Sequence, residues 1–159
     1  MKTIAFLAAF FFALVSVAQS TPKPASTSDE VSGMYTFLQE GEFVQVNLEE
    51  QSRVTGFISR YGDTNSDKGE FLDLMFSSGE LKGDHIHFKT RTVHGVCFEF
   101  DGKIVRGDAK STADEGYRVL RGKLTQYVED ENKKTTARTR EVTLKSFPQD
   151  ATVDHPIRD

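Results

Sequence analysis

The run over residues 79–108, GELKGDHIHFKTRTVHGVCFEFDGKIVRGD, constrains the fold more than any other part of the chain. Glycines at 79, 83, 95, 102 and 107 punctuate short segments in which apolar and polar residues alternate. Strict alternation belongs to a strand with one buried face, because successive side chains point to opposite faces. Asp101-Gly102 between two such segments reads as a two-residue hairpin turn. The pattern is that of an antiparallel meander. The same run holds three of the four histidines and the single cysteine, Cys97, so it also carries the most conspicuous chemistry.

The rest of the chain continues the pattern. Strands are predicted at 35–38, 43–49, 53–61, 72–76, 85–90, 96–100, 103–106, 118–129 and 136–147. Val44, Val46 and Leu48 share one face of the second, and Val142 and Leu144 share one face of the last. Turn chemistry separates them at Glu40-Gly41-Glu42, Ser78-Gly79, Lys82-Gly83-Asp84, Asp114-Glu115-Gly116 and 130–134. No long window after the N-terminus shows the 3.6-residue period of an amphipathic helix. Eight or nine short strands with almost no helix predict an all-β domain. Strands taken in sequence order favour an antiparallel up-and-down barrel, whose closure removes exposed edges, with a β-sandwich as the alternative.

The N-terminus reads differently. After Met1-Lys2-Thr3, an apolar run extends from residue 4 to 15, and Ser16-Val17-Ala18 supplies small residues for cleavage after Ala18. This is the layout of a secretory signal peptide at 1–18. The apolar run is shorter than the roughly 20 residues that span a bilayer. Residues 19–32 are rich in Ser, Thr and Pro and read as a flexible leader. The folded domain is then 33–147, followed by a C-terminal tail at 148–159. The expected location is secreted or periplasmic. A lone cysteine inside an apolar strand predicts a buried thiol rather than a disulfide. The net charge of −4, with scattered basic residues, argues against nucleic acid as a partner, and no basic amphipathic helix points to a membrane after signal cleavage.

The opening Gly33-Met34-Tyr35 resembles the G-x-W start of calycin-type barrels, the lipocalins, fatty-acid-binding proteins and avidins, with Tyr35 in the place of Trp. The glycine rhythm of VTG, LKGDHIHF and FDGKIVRG is similar to that of small exported barrels of this type. The resemblance implies an arginine near the last strand packed across the aromatic ring to plug one barrel end. Arg138 and Arg140 are in phase with Val142 and Leu144, and Arg140 is assigned this plug. The chain has no Trp and no lipocalin-type C-terminal helix, so the aromatic walls of an avidin biotin site are not implied.

Three chemistries are weighed. His85-Ile86-His87 places two imidazoles on one strand face, and with His94 they form a candidate zinc set. Asp63, Asn65 and Asp67 space oxygen ligands as a calcium loop does, but Lys68 stands where that loop needs glycine. Cys97 near His94 is a thiol–imidazole candidate, set against the commoner role of such a thiol as core. No nucleophile elbow, phosphate loop or C-x-x-C is present, so the expectation is not an enzyme and no cofactor. The leading expectation is a non-enzymatic exported protein that binds a small apolar molecule in its barrel, with Tyr35, Phe37, Phe88, His94, Phe98 and Arg140 as ligand residues. The alternatives are a protein-binding or inhibitor module acting through its loops, and a metal-dependent enzyme.

Overall fold

The computed structural model describes residues 31–62 and 67–149. The signal peptide, nearly all of the leader, most of the C-terminal tail, and Asp63 and Asn65 of the acidic loop lie outside the described residues. Eight strands follow one another: β1 (Gly33–Thr36), β2 (Phe43–Leu48), β3 (Val54–Tyr61), β4 (Phe71–Lys82), β5 (His85–Thr90), β6 (Val96–Arg106), β7 (Arg118–Glu129) and β8 (Thr135–Lys145). They form one antiparallel sheet in sequence order. Among the described residues no helix is long and apolar enough to cross a membrane.

The sheet curls until its outermost strands meet, but only at one end. Tyr35 of β1 bridges Ser146, Phe147 N–H donates to the Met34 carbonyl at 2.8 Å, and Lys145 N–H donates to Thr36 Oγ1 at 2.9 Å. Beyond Thr36, β1 stops while β8 continues. Residues 135–141 of β8 are exposed on both faces and have no β1 partner among the described residues. The barrel is therefore closed where the chain enters and leaves it, and open at the opposite end.

Inside the barrel the alternation does what the sequence requires. Val44, Val46, Ile58, Leu74, Ile86, Phe98, Phe100, Leu120, Leu124 and Leu144 are all buried. Phe88 lies stacked between Phe76, at 4.3 Å between ring centroids, and Phe100, at 5.2 Å. Each such ring contributes about 2–3 kcal/mol by leaving water. Large side chains fill the interior, which is one of the two ways a barrel of eight strands completes itself. The domain also reaches past 33–147: Val31 is buried and its carbonyl accepts the Tyr35 hydroxyl at 2.7 Å, while Gln149 N–H donates to the Thr112 carbonyl.

Two expected turns are absent. Asp101-Gly102 lies in the middle of β6, paired to β5 and β7 without interruption. Gly102 is there for space rather than for a turn. A Cβ on it would sit 2.7 Å from the Phe100 ring and 2.8 Å from Gly122 Cα on β7. Ser78-Gly79 likewise lies within β4, where the register shifts by a bulge between Phe76 and Ser78. Both glycines interrupt the apolar rhythm in the way a turn does, and no local signal separates the two uses.

Candidate functional site

The open end is built by the turns that join β1 to β2, β3 to β4, β5 to β6 and β7 to β8. The β5–β6 turn is the tightest. Val93 and Val96 exchange backbone hydrogen bonds at 2.9 Å, and the two residues between them, His94 and Gly95, have φ of 48° and 76°. Two positive φ values define the primed turn that fits strand twist. Gly95 satisfies it freely; His94 occupies a left-handed conformation uncommon for a residue with a Cβ. The turn holds the imidazole against the β3–β4 loop, where Nδ1 lies 2.7 Å from Asp67 Oδ2. Asp67 is 2% exposed and the His94 side chain 48%. A buried carboxylate thus fixes one ring nitrogen and leaves the other edge of the imidazole toward solvent.

A second buried pair lies in the same end. Glu42 Oε2 accepts the Gln39 N–H and Oε1 accepts the Tyr61 N–H, each at 3.1 Å. Its Oε1 is 4.0 Å from Arg60 Nε, and both side chains are buried. The Arg60 guanidinium lies 5.5 Å from the centroid of the Phe98 ring, which meets Phe37 edge-on at 5.3 Å. A charged layer therefore rests on an aromatic floor. Sequence reading missed Glu42 and Arg60. The legible signal was Arg60 itself, a charge in phase with Val54 and Ile58 on the inward face of β3.

Above the floor the wall of β7 and β8 turns polar. Phe98 pairs with Gln126, and Gln126 with Arg138; Phe100 pairs with Leu124, and Leu124 with Arg140. These positions share the core face, as do Val128 and Thr136. Gln126, Val128, Thr136, Ala137 and Arg138 line a concavity of about 410 Å³. Arg138 and Arg140 are exposed, and neither has an ion-pair partner among the described residues.

The ligand residues expected from sequence divide into two groups. Phe37, Phe98, His94 and Arg140 belong to the open end. Tyr35 and Phe88 are core: Tyr35 is tied to Val31 at the closed end, and Phe88 is sealed between two rings. Arg140 is not the plug over Tyr35. It lies six residues along β8 from Ser146, the partner of Tyr35, which is about 20 Å in a strand. The cation that acts on Tyr35 is Arg118 of β7, while burial pushes the phenol up to about 12.

The zinc set does not converge. His85 and His87 share a face, but it is the outer one, where each reaches diagonally to a carboxylate on β6, His85 to Asp101 and His87 to Glu99. His85 Nε2 lies 3.2 Å from Asp101 and His87 Nε2 lies 3.0 Å from Glu99. His94 is held at the open end by Asp67. Among the described residues no three metal-donor side chains gather. Glu99 also accepts the Tyr127 hydroxyl at 3.0 Å and lies 3.3 Å from Lys89 Nζ. The His87 hydrogen bond, helped by these two, holds the Glu99 carboxyl below its ordinary range. Cys97 is a buried free thiol on the face of β6 opposite Phe98, so its side chain is turned away from the open-end wall.

No protein-family model matches the chain, and no curated protein is similar to it in sequence. Its fold does resemble solved structures. The crystal structure of a rhizavidin–biotin complex superposes with a TM-score of 0.52 at 11% identity, covering 72% of this chain and 98% of that one. Apo short afifavidin superposes with a TM-score of 0.50 at 12% identity, covering 73% of this chain and 95% of that one. At such identities the likeness concerns the fold alone, and that fold is the calycin-like antiparallel barrel of the avidin type.

Proposed function

We propose that this is an exported, non-enzymatic binding protein that takes a small ligand at the open end of its barrel. The observation that carries the reading is the division of the inner wall. It is packed with aromatic and aliphatic side chains through Phe98 and Leu124, whereas beside and beyond them on β7 and β8 it is polar and accessible at Gln126, Thr136, Arg138 and Arg140. A filled interior leaves no room for an apolar ligand beside Tyr35 and Phe88, so the ligand's place moves to the open end and its chemistry changes with the move. Two accessible guanidiniums beside a shallow concavity suit a small organic anion, since arginine binds carboxylates and phosphates through paired, charge-assisted hydrogen bonds. The rhizavidin structure is a complex with biotin, which supports small-ligand binding in a barrel of this fold. Export rests on the layout of residues 1–18.

Native mass spectrometry of the protein recovered from its own source tests the reading directly, followed by calorimetric titration with the anion it carries. The expected result is a bound small acid whose affinity falls at least about 10-fold in Arg138→Gln/Arg140→Gln, the loss of one charged hydrogen bond. An unchanged affinity in that variant refutes the assignment of the arginines. A protein that carries no small molecule and titrates with none refutes ligand binding at the open end.

A further inference from the structure

The exterior of the barrel has two unlike halves. Outside β5–β7 the surface is a lattice of charge, with His87 and Lys89 on Glu99, His85 on Asp101, and Lys103 on Asp84. Outside β1–β3 and the first half of β4 it is apolar, the charges of β4, Glu80 and Lys82, lying further along the strand. Tyr61, Phe71 and Met75 are 41%, 47% and 49% exposed, and Met34 is exposed beside them. Phe43 and Phe57, both partly exposed, complete the patch. Their rings already gather, with Phe43 5.9 Å from Phe57 and 6.3 Å from Phe71, and Tyr61 5.0 Å from Phe71. The one charge within the patch, Asp73, accepts the Ser59 hydroxyl at 2.5 Å. β3 is thus apolar on both faces over Phe57 and Ile58, the pattern of a strand covered on both sides.

We propose that a second copy of this chain covers this face, outer sheet against outer sheet. Area supports that occupant. Aromatic side chains bury about 150–250 Å² each, so four large side chains 39–49% exposed and two more partly exposed offer roughly 400–500 Å². A standard interface buries about 800 Å² per partner, a little over half of it apolar, which is close to this patch with its polar rim. Charge is consistent with it: among the described residues the patch itself holds one carboxylate, Asp73, bonded to Ser59, with Arg91 only at its edge beside Met75, and a two-fold pair sets the same apolar surface on both sides. Gln45, Asn47 and Ser77 supply the hydrogen-bonding rim. The contact lies on the opposite side of the sheet from the open-end concavity, so it stands or falls independently of the ligand reading.

Size-exclusion chromatography with light scattering, over concentrations up to about 100 µM, reads the outcome. The expected result is a concentration-dependent dimer. Phe71→Lys and Met75→Lys, each made separately and checked for fold by circular dichroism, shift it to monomer, and Lys123→Glu on the charged half leaves it a dimer. A wild-type protein that stays monomeric throughout overturns the proposal. Dimers that survive both lysine substitutions overturn it as well. A monomer that sediments with neutral phosphatidylcholine vesicles overturns it in favour of a lipid surface.

Discussion

Replacing Glu42 with alanine is the severest test of how the open end is built. The carboxylate is 2% exposed and performs three tasks at once. It accepts backbone N–H groups from Gln39 and Tyr61, and it faces the buried Arg60 guanidinium. Each buried donor left without a partner costs about 1–3 kcal/mol. Breaking a buried ion pair from one side costs about 3–5 kcal/mol in total when such bonds go with it. Glu42→Ala is expected to destabilise by about 3–5 kcal/mol, a large share of the roughly 5–15 kcal/mol available to a domain. Glu42→Gln keeps the shape and one acceptor but turns an amide N–H₂ toward a backbone donor, and is expected to cost about half as much. Four tyrosines and no tryptophan make tyrosine fluorescence the natural probe for urea unfolding, with circular dichroism alongside. In a cycle with Arg60→Met, residues in direct contact couple by about 1–3 kcal/mol. A loss below about 1 kcal/mol for Glu42→Ala, or strict additivity in the cycle, refutes the view of Glu42 as the tie between the β1–β2 turn and the end of β3.

Tyr35→Phe is expected to alter alkaline stability. The folded phenol is raised by burial to about 12, above its ordinary value of 10, so its contribution is complete below pH 10 and disappears as pH climbs toward 12. The wild type loses about 3 kcal/mol over that window and the variant does not, as melts across it read out. Phe88→Ala empties the centre of a three-ring stack and is expected to cost about 3–5 kcal/mol in the same urea assay, with an expanded or aggregating product as the extreme outcome. Glu99→Gln removes a carboxyl that the His87 bond holds below its ordinary range. Stability from that group is present above the unfolded carboxylate range and lost as pH falls through the lower folded value, so the variant's stability varies less with pH in acid than the wild type's.

Much of the fold was legible because alternation is a direct record of which side of a sheet faces the core. β2, β5 and the stretch of β6 from Phe98 to Lys103 follow it closely. The failures come from glycines. Gly95 occupies a turn because its φ is positive, whereas Gly102 sits mid-strand because Gly122 and a phenyl ring press on it. The two read alike in a sequence, since both needs are met by the missing Cβ. His94 is among the expected ligand residues, and the structure sets it in the β5–β6 turn at the open end. The acidic spacing around its partner Asp67 suggests a metal ligand instead, because pairing across 27 residues leaves no mark on local spacing. Arg138 and Arg140 were correctly in phase with the inner face. What phase does not supply is distance along the barrel, and that is what separates Arg140 from Tyr35.

The partial seam between β1 and β8 sets the order in which the chain can assemble. Every other strand pair joins neighbours in sequence, so each hairpin forms at the cost of a short loop. Joining Tyr35 to Ser146 closes a loop of more than a hundred residues for a handful of hydrogen bonds. Closure entropy grows with loop length, and contacts far apart in sequence slow folding. The meander therefore forms first and the clasp last. Unfolding runs in reverse, with the amide protons of Lys145 and Phe147, the donors across the seam, exchanging ahead of those in β5, β6 and β7.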